Sequence, residues 1–135
     1  EEDVAVICSE QTENKIFDMI NAMAEKKQKK AMELYYDLLA LKEPPMRILY
    51  LITRQFNLLM QVKELSEEGY SAKTISERLK MAGFIVRNCL RQAEYFSLKT
   101  LKEALQDCVR MEEAVKTGRM NDVMSVELLL VKYSS

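Results

Sequence analysis

The chain has 135 residues, 48% of them hydrophobic, which is enough to bury roughly two thirds of the unfolded surface around one core. The 20 Lys and Arg nearly balance the 21 Asp and Glu, and a net charge of -1 excludes a global positive field that attracts nucleic acid. There is no His, and Cys8, Cys89 and Cys108 lie far apart, which excludes the usual zinc patterns and Cys-His catalysis. These cysteines instead predict reduced thiols, packed as small hydrophobes, in a cytoplasmic protein. No apolar run approaches the roughly 18 residues of a membrane span, so no membrane contact is expected.

Glycine and proline are scarce, and the long intervals between them predict a chain that is helical almost throughout. Thr12 is placed to N-cap a first helix that begins at Glu13. A second helix follows from the three- and four-residue spacing of apolar side chains in residues 31–39. The pair Pro44-Pro45 ends that helix and starts the next.

The segment 46–66, MRILYLITRQFNLLMQVKELS, predicts a long helix that is apolar around more than half of its circumference. Such a helix either lies at the centre of the fold or serves both an internal core and an external partner. Gln55 falls within the apolar arc, so we expect its amide to have a hydrogen-bond partner.

After Gly69 the pattern predicts two short helices at residues 71–80 and 83–95, then a long helix capped by Ser97 and ended by Gly118, and a last helix capped by Asp122. The fold class is therefore all-α, a single helical bundle of about seven or eight helices.

Residues 71–95 have the rhythm of a helix-turn-helix, and their Lys and Arg exceed their Glu by three, so DNA binding through Lys73, Arg87 and Arg91 is the alternative function. The second helix opens with Phe84-Ile85-Val86, however, which predicts a buried start rather than base contacts. Packing of a helical hairpin is therefore favoured. The lysine run at residues 26–30 is read as a solvated junction. No phosphate-binding loop, nucleophile with a base, or metal-ligand set is found, so neither catalysis nor a cofactor is expected.

Three stretches in order, TENKIFDMINAM, EPPMRILYLITRQFNLLMQVKEL and VKTGRMNDVMSVELLLVK, resemble the C-terminal domain of the delta subunit of bacterial DNA polymerase III, a component of the sliding-clamp loader. The resemblance covers residues 12–133. It implies that residues 1–11 are the tail of a preceding AAA+ lid segment and that residues 12–135 form a helical, collar-like domain.

In that family the collar joins equivalent domains of the other subunits, delta prime and gamma or tau, into the pentamer that opens the sliding clamp and loads it on primed DNA. The sliding clamp and primer-template DNA are contacted mainly by AAA+ modules, and the collar does no chemistry. Lys116, Arg119, Arg54 and Tyr50 are candidates for contact with a subunit interface or DNA. For the corner at residues 116–119 the favoured explanation is local, with Gly118 as a helix C-cap and Lys116 as a cation at the negative helix end. Gly83 stands where the family often has Pro, which predicts that Gly83→Pro raises the melting temperature.

Overall fold

A computed structural model describes the backbone of residues 2–135 and the side chains of residues 11–135, and all described secondary structure is helical. The described residues form seven helices: α1 (Glu2–Ala24), α2 (Gln28–Ala40), α3 (Pro45–Glu67), α4 (Ala72–Leu79), α5 (Gly83–Ala93), α6 (Leu98–Lys116) and α7 (Asp122–Ser134). The predicted all-α bundle of seven or eight helices is confirmed. Cys8 lies outside the residues whose side chains are described, whereas Cys89 and Cys108 are buried free thiols as predicted.

Helix α3 is the centre of the bundle. It packs against α1, α4, α5, α6 and α7, while α2 packs against α1 and α7 at the side. Its residues Ile48, Ile52, Phe56, Leu59 and Val62 are fully buried. Its wide apolar surface is therefore explained by burial among five neighbouring helices, the first of the two possibilities that the sequence left open.

Aromatic side chains connect the helices around α3. Phe56 meets Phe96 edge to face at a centroid distance of 5.8 Å, and Tyr133 of α7 packs on the same ring at 6.2 Å. Tyr35 is also fully buried, and its hydroxyl donates to the Val123 carbonyl at 2.9 Å. Each such side chain contributes about 1.5–3 kcal/mol of burial free energy, so these contacts fix α2 and α7 on the bundle.

Gln55 has the partner that the sequence predicted. Its Nε2 donates to Gln92 Oε1 at 2.9 Å, and Gln92 Nε2 donates in turn to Asn21 Oδ1 at 2.7 Å and to the Phe17 carbonyl at 3.0 Å. Gln92 is almost fully buried, and every buried side-chain nitrogen and oxygen of the described residues has a partner. The amide chain thereby joins α1, α3 and α5 without an unpaired polar group.

Most helix starts follow the sequence signals. Pro45 occupies the first position of α3, and the hydroxyls of Ser71 and Ser97 accept from the backbone N–H three residues later at 3.2 and 3.0 Å. The last helix is capped by Asn121 rather than by Asp122 as predicted, because the Asn121 amide oxygen accepts from the backbone N–H of residue 124 at 3.2 Å.

The predicted start of the first helix is wrong. Helix α1 begins at Glu2, so Thr12 is an interior helical residue with a 5% exposed side chain. Thr in a helix interior costs only about 0.7 kcal/mol of helix stability relative to Ala. A residue that often caps helices therefore does not start one when the residues before it are already helical. The proposed division between residues 1–11 and 12–135 falls within this continuous helix and stays a prediction.

Candidate functional site

The turn at residues 116–119 is a Schellman motif. Gly118 has φ +76°, and the N–H groups of Gly118 and Arg119 donate to carbonyls at the end of α6 at 3.1 and 2.8 Å. The prediction that Gly118 stops the helix is confirmed, with Thr117 as the cap residue and Lys116 as the last helical residue. The left-handed backbone that this motif requires explains a glycine here.

Both cations of this turn lie on the surface. Lys116 Nζ is 3.6 Å from Glu112 Oε1 one helical turn back, and Arg119 Nε donates to Thr117 Oγ1 at 3.0 Å. Arg119 also borders a shallow cleft of about 370 Å³ at the end of α6, together with Met120. No carboxylate among the described side chains pairs with Arg119, so its guanidinium is available to an anionic partner.

Tyr50 and Arg54 lie one turn apart on the exposed side of α3. The Tyr50 side chain is 58% exposed, and Arg54 Nη1 lies 3.4 Å from Glu13 Oε1 of α1. Within the described part of the chain, no hydrogen bond or ion pair joins them to Lys116 or Arg119. The four predicted residues are thus two exposed pairs on different helix segments, in which Arg54 and Lys116 each have a carboxylate partner at the surface and Arg119 does not.

The α4–α5 hairpin exposes Lys73, Arg87 and Arg91 as the helix-turn-helix alternative requires. The prediction that α5 opens with core residues is wrong for two of the three, because Phe84 and Ile85 are 60% and 38% exposed. Helix α5 buries the face that contains residues 86, 89 and 93 against its neighbours, and this turns residues 84 and 85 outward. The exposed start of α5 is apolar, whereas base edges are read by hydrogen-bonding side chains, so this end of the helix does not favour base readout.

A buried carboxylate in α6 was not predicted. Asp107 is 7% exposed, and it accepts hydrogen bonds from Tyr133 Oη and Lys132 Nζ of α7, both at 2.6 Å, and from Arg110 Nη1 at 3.2 Å. Burial by itself raises the carboxyl pKa, but the donors and charges of these three residues outweigh burial and hold the pKa of Asp107 below its usual value. The one available sequence signal was the position of Asp107 beside Cys108 on the apolar face of α6.

The described residues contain no group of His, Cys, Asp and Glu side chains arranged to hold a metal ion. Of the helices described, none has the length and hydrophobicity needed to cross a bilayer.

Comparison with known proteins decides the family. Residues 13–133 match the family model described as DNA polymerase III delta subunit, C-terminal domain. The chain belongs to this family. Over 131 residues, 97% of the chain, it is 33% identical to the DNA polymerase III subunit delta of Bacillus subtilis strain 168.

The fold of this delta C-terminal domain agrees with a solved relative. The Bacillus subtilis DNA clamp loader delta protein superposes with a TM-score of 0.87 over 91% of the chain, again at 33% identity. The chain spans 38% of the length of the curated relative and 36% of the solved one. The resemblance found in the sequence is thus confirmed at the level of family and fold.

The described part of the delta C-terminal domain also has ten large apolar side chains that are exposed rather than packed in the core. They lie on α2, α3, α5, α6 and α7 and in the adjoining turns: Tyr36, Leu41, Tyr50, Phe84, Ile85, Tyr95, Val109, Met124, Leu128 and Val131. Single exposed apolar residues are ordinary, but aromatic residues are enriched where proteins meet other proteins.

Proposed function

We propose that this chain is the collar domain of a bacterial clamp-loader delta subunit and that it acts by assembly with other subunits. The match of residues 13–133 to the delta C-terminal family carries this proposal. The partners are the equivalent domains of delta prime and of gamma or tau, and the resulting pentamer opens the sliding clamp and loads it on primed DNA in the bacterial cytoplasm.

The physical character of the domain supports assembly rather than catalysis. The buried polar atoms of the described residues are satisfied internally, and there is no His for acid-base chemistry. The exposed surface includes a set of aromatic and aliphatic side chains, such as Tyr50 and Phe84, that water solvates poorly. Subunit contacts remove such surfaces from water.

We also propose the division of labour within the full subunit. The sliding clamp and primer-template DNA are engaged mainly by AAA+ modules that precede this domain, with residues 1–11 as the end of the lid segment. Lys116 and Arg119 at the end of α6, and Tyr50 and Arg54 on α3, then face a neighbouring subunit or the DNA. The exposure of all four side chains supports this assignment.

The test is light scattering on a sizing column. The chain is measured alone and then mixed with the C-terminal domains of delta prime and gamma from the same bacterium. A larger complex of defined mass is expected from collar assembly. Persistence of separate monomers at high concentration contradicts the collar function.

A parallel titration with fluorescent duplex and primer-template DNA tests the alternative function of residues 71–95. DNA readout by this hairpin predicts binding that weakens steeply with salt and is lost in Arg87→Ala or Arg91→Ala. Collar assembly predicts that both variants still enter the multisubunit complex, because surface charges there contribute less than buried apolar contacts.

A further inference from the structure

We draw no further inference here: the strongest candidate, the exposed apolar stripe of Met124, Leu128 and Val131 along α7, carries none, because nothing in the described part of the structure shows what covers it.

Discussion

The sharpest stability prediction concerns the buried carboxylate that ties α7 to α6. Replacing Asp107 by Ala removes the acceptor of the Tyr133 hydroxyl, which lies at 2.6 Å on a side chain that is 6% exposed. The nearest other acceptor, Glu103 Oε1, lies at 3.5 Å and offers a weak substitute. The Asp107→Ala variant thus leaves a buried donor poorly satisfied.

The magnitude follows from the kind of bond that is lost. A hydrogen bond to a charged group is worth about 1.5–3 kcal/mol, and an unsatisfied buried donor costs about as much. Lys132 and Arg110 are mostly exposed, so their ion pairs with Asp107 add little. We expect Asp107→Ala to lower the free energy of unfolding by about 2–3 kcal/mol and Asp107→Asn by about 1 kcal/mol, because the amide oxygen can still accept from Tyr133.

The assay is urea unfolding followed by circular dichroism, applied to a double-mutant cycle of Asp107→Ala and Tyr133→Phe. We expect a coupling energy of about 1.5 kcal/mol, because removing the Tyr133 hydroxyl also removes the unsatisfied group that Asp107→Ala creates. Additive effects of the two substitutions would refute the hydrogen bond as the source of the stabilisation.

The stabilisation that Asp107 provides should also depend on pH. The pKa of Asp107 is lower in the folded chain than in the unfolded chain, so its ionised form stabilises the fold above the unfolded value of about 3.9. This contribution is lost as the pH falls through the folded pKa. The stability difference between the unmodified chain and Asp107→Asn should therefore be constant near neutral pH and shrink below about pH 4. A difference that grows on acidification contradicts the sign of this shift.

Three further predictions test the helix ends and the core. Gly83→Pro should raise the free energy of unfolding in urea by about 0.4–1 kcal/mol, because position 83 is the first residue of α5 and Ala82 already has the extended backbone that precedes Pro. A lower free energy of unfolding would show that the N–H of Gly83 or its backbone angles are needed. Lys42→Gly should raise the free energy of unfolding by about 1 kcal/mol, because Lys42 has the left-handed φ of +68° that glycine adopts without strain. Gly118→Ala should lower it by a similar amount, because Gly118 has φ +76°. Equal stability of both variants and the unmodified chain would contradict backbone strain at these two positions. Burial raises the pKa of the Cys108 thiol to about 11, so iodoacetamide at pH 8 should label Cys108 only after urea unfolding. Mass spectrometry of peptides measures the labelling, and rapid labelling of Cys108 in the folded chain would contradict its burial.

Much of the fold was predictable because its signals are local. The Pro44-Pro45 pair, the Ser71 and Ser97 caps and the glycine at position 118 all act within a few residues of where they stand in the chain. Local rules also predicted that Gln55 needs a partner, although they could not name Gln92, which lies 37 residues away. The prediction that Thr12 caps a helix failed, because whether a residue starts a helix or lies inside one depends on the residues before it.

The predictions that failed required knowledge of which helices are neighbours. Phe84 and Ile85 look like core residues in any local reading, but α5 meets α3 and α4 through its other face. Asp107 looks like an ordinary exposed charge, yet its burial depends on the arrival of Tyr133 from the last helix. In both cases the pattern of one helix gives the width of its apolar face but not the direction in which that face points.

This distinction changes where an interface is to be sought. The sequence drew attention to α3, because a helix that is apolar over most of its surface suggests a partner outside the domain. The structure buries most of that surface inside the bundle, and apart from Tyr50 the exposed large apolar side chains lie on other helices and turns, such as Phe84 on α5 and Leu128 on α7. A domain whose function is assembly has to keep such side chains on its periphery, where another chain can reach them. The most apolar helix of the sequence is therefore mainly the scaffold, and apart from the exposed side of α3 at Tyr50 and Arg54, the binding surface is expected on the less conspicuous helices around it.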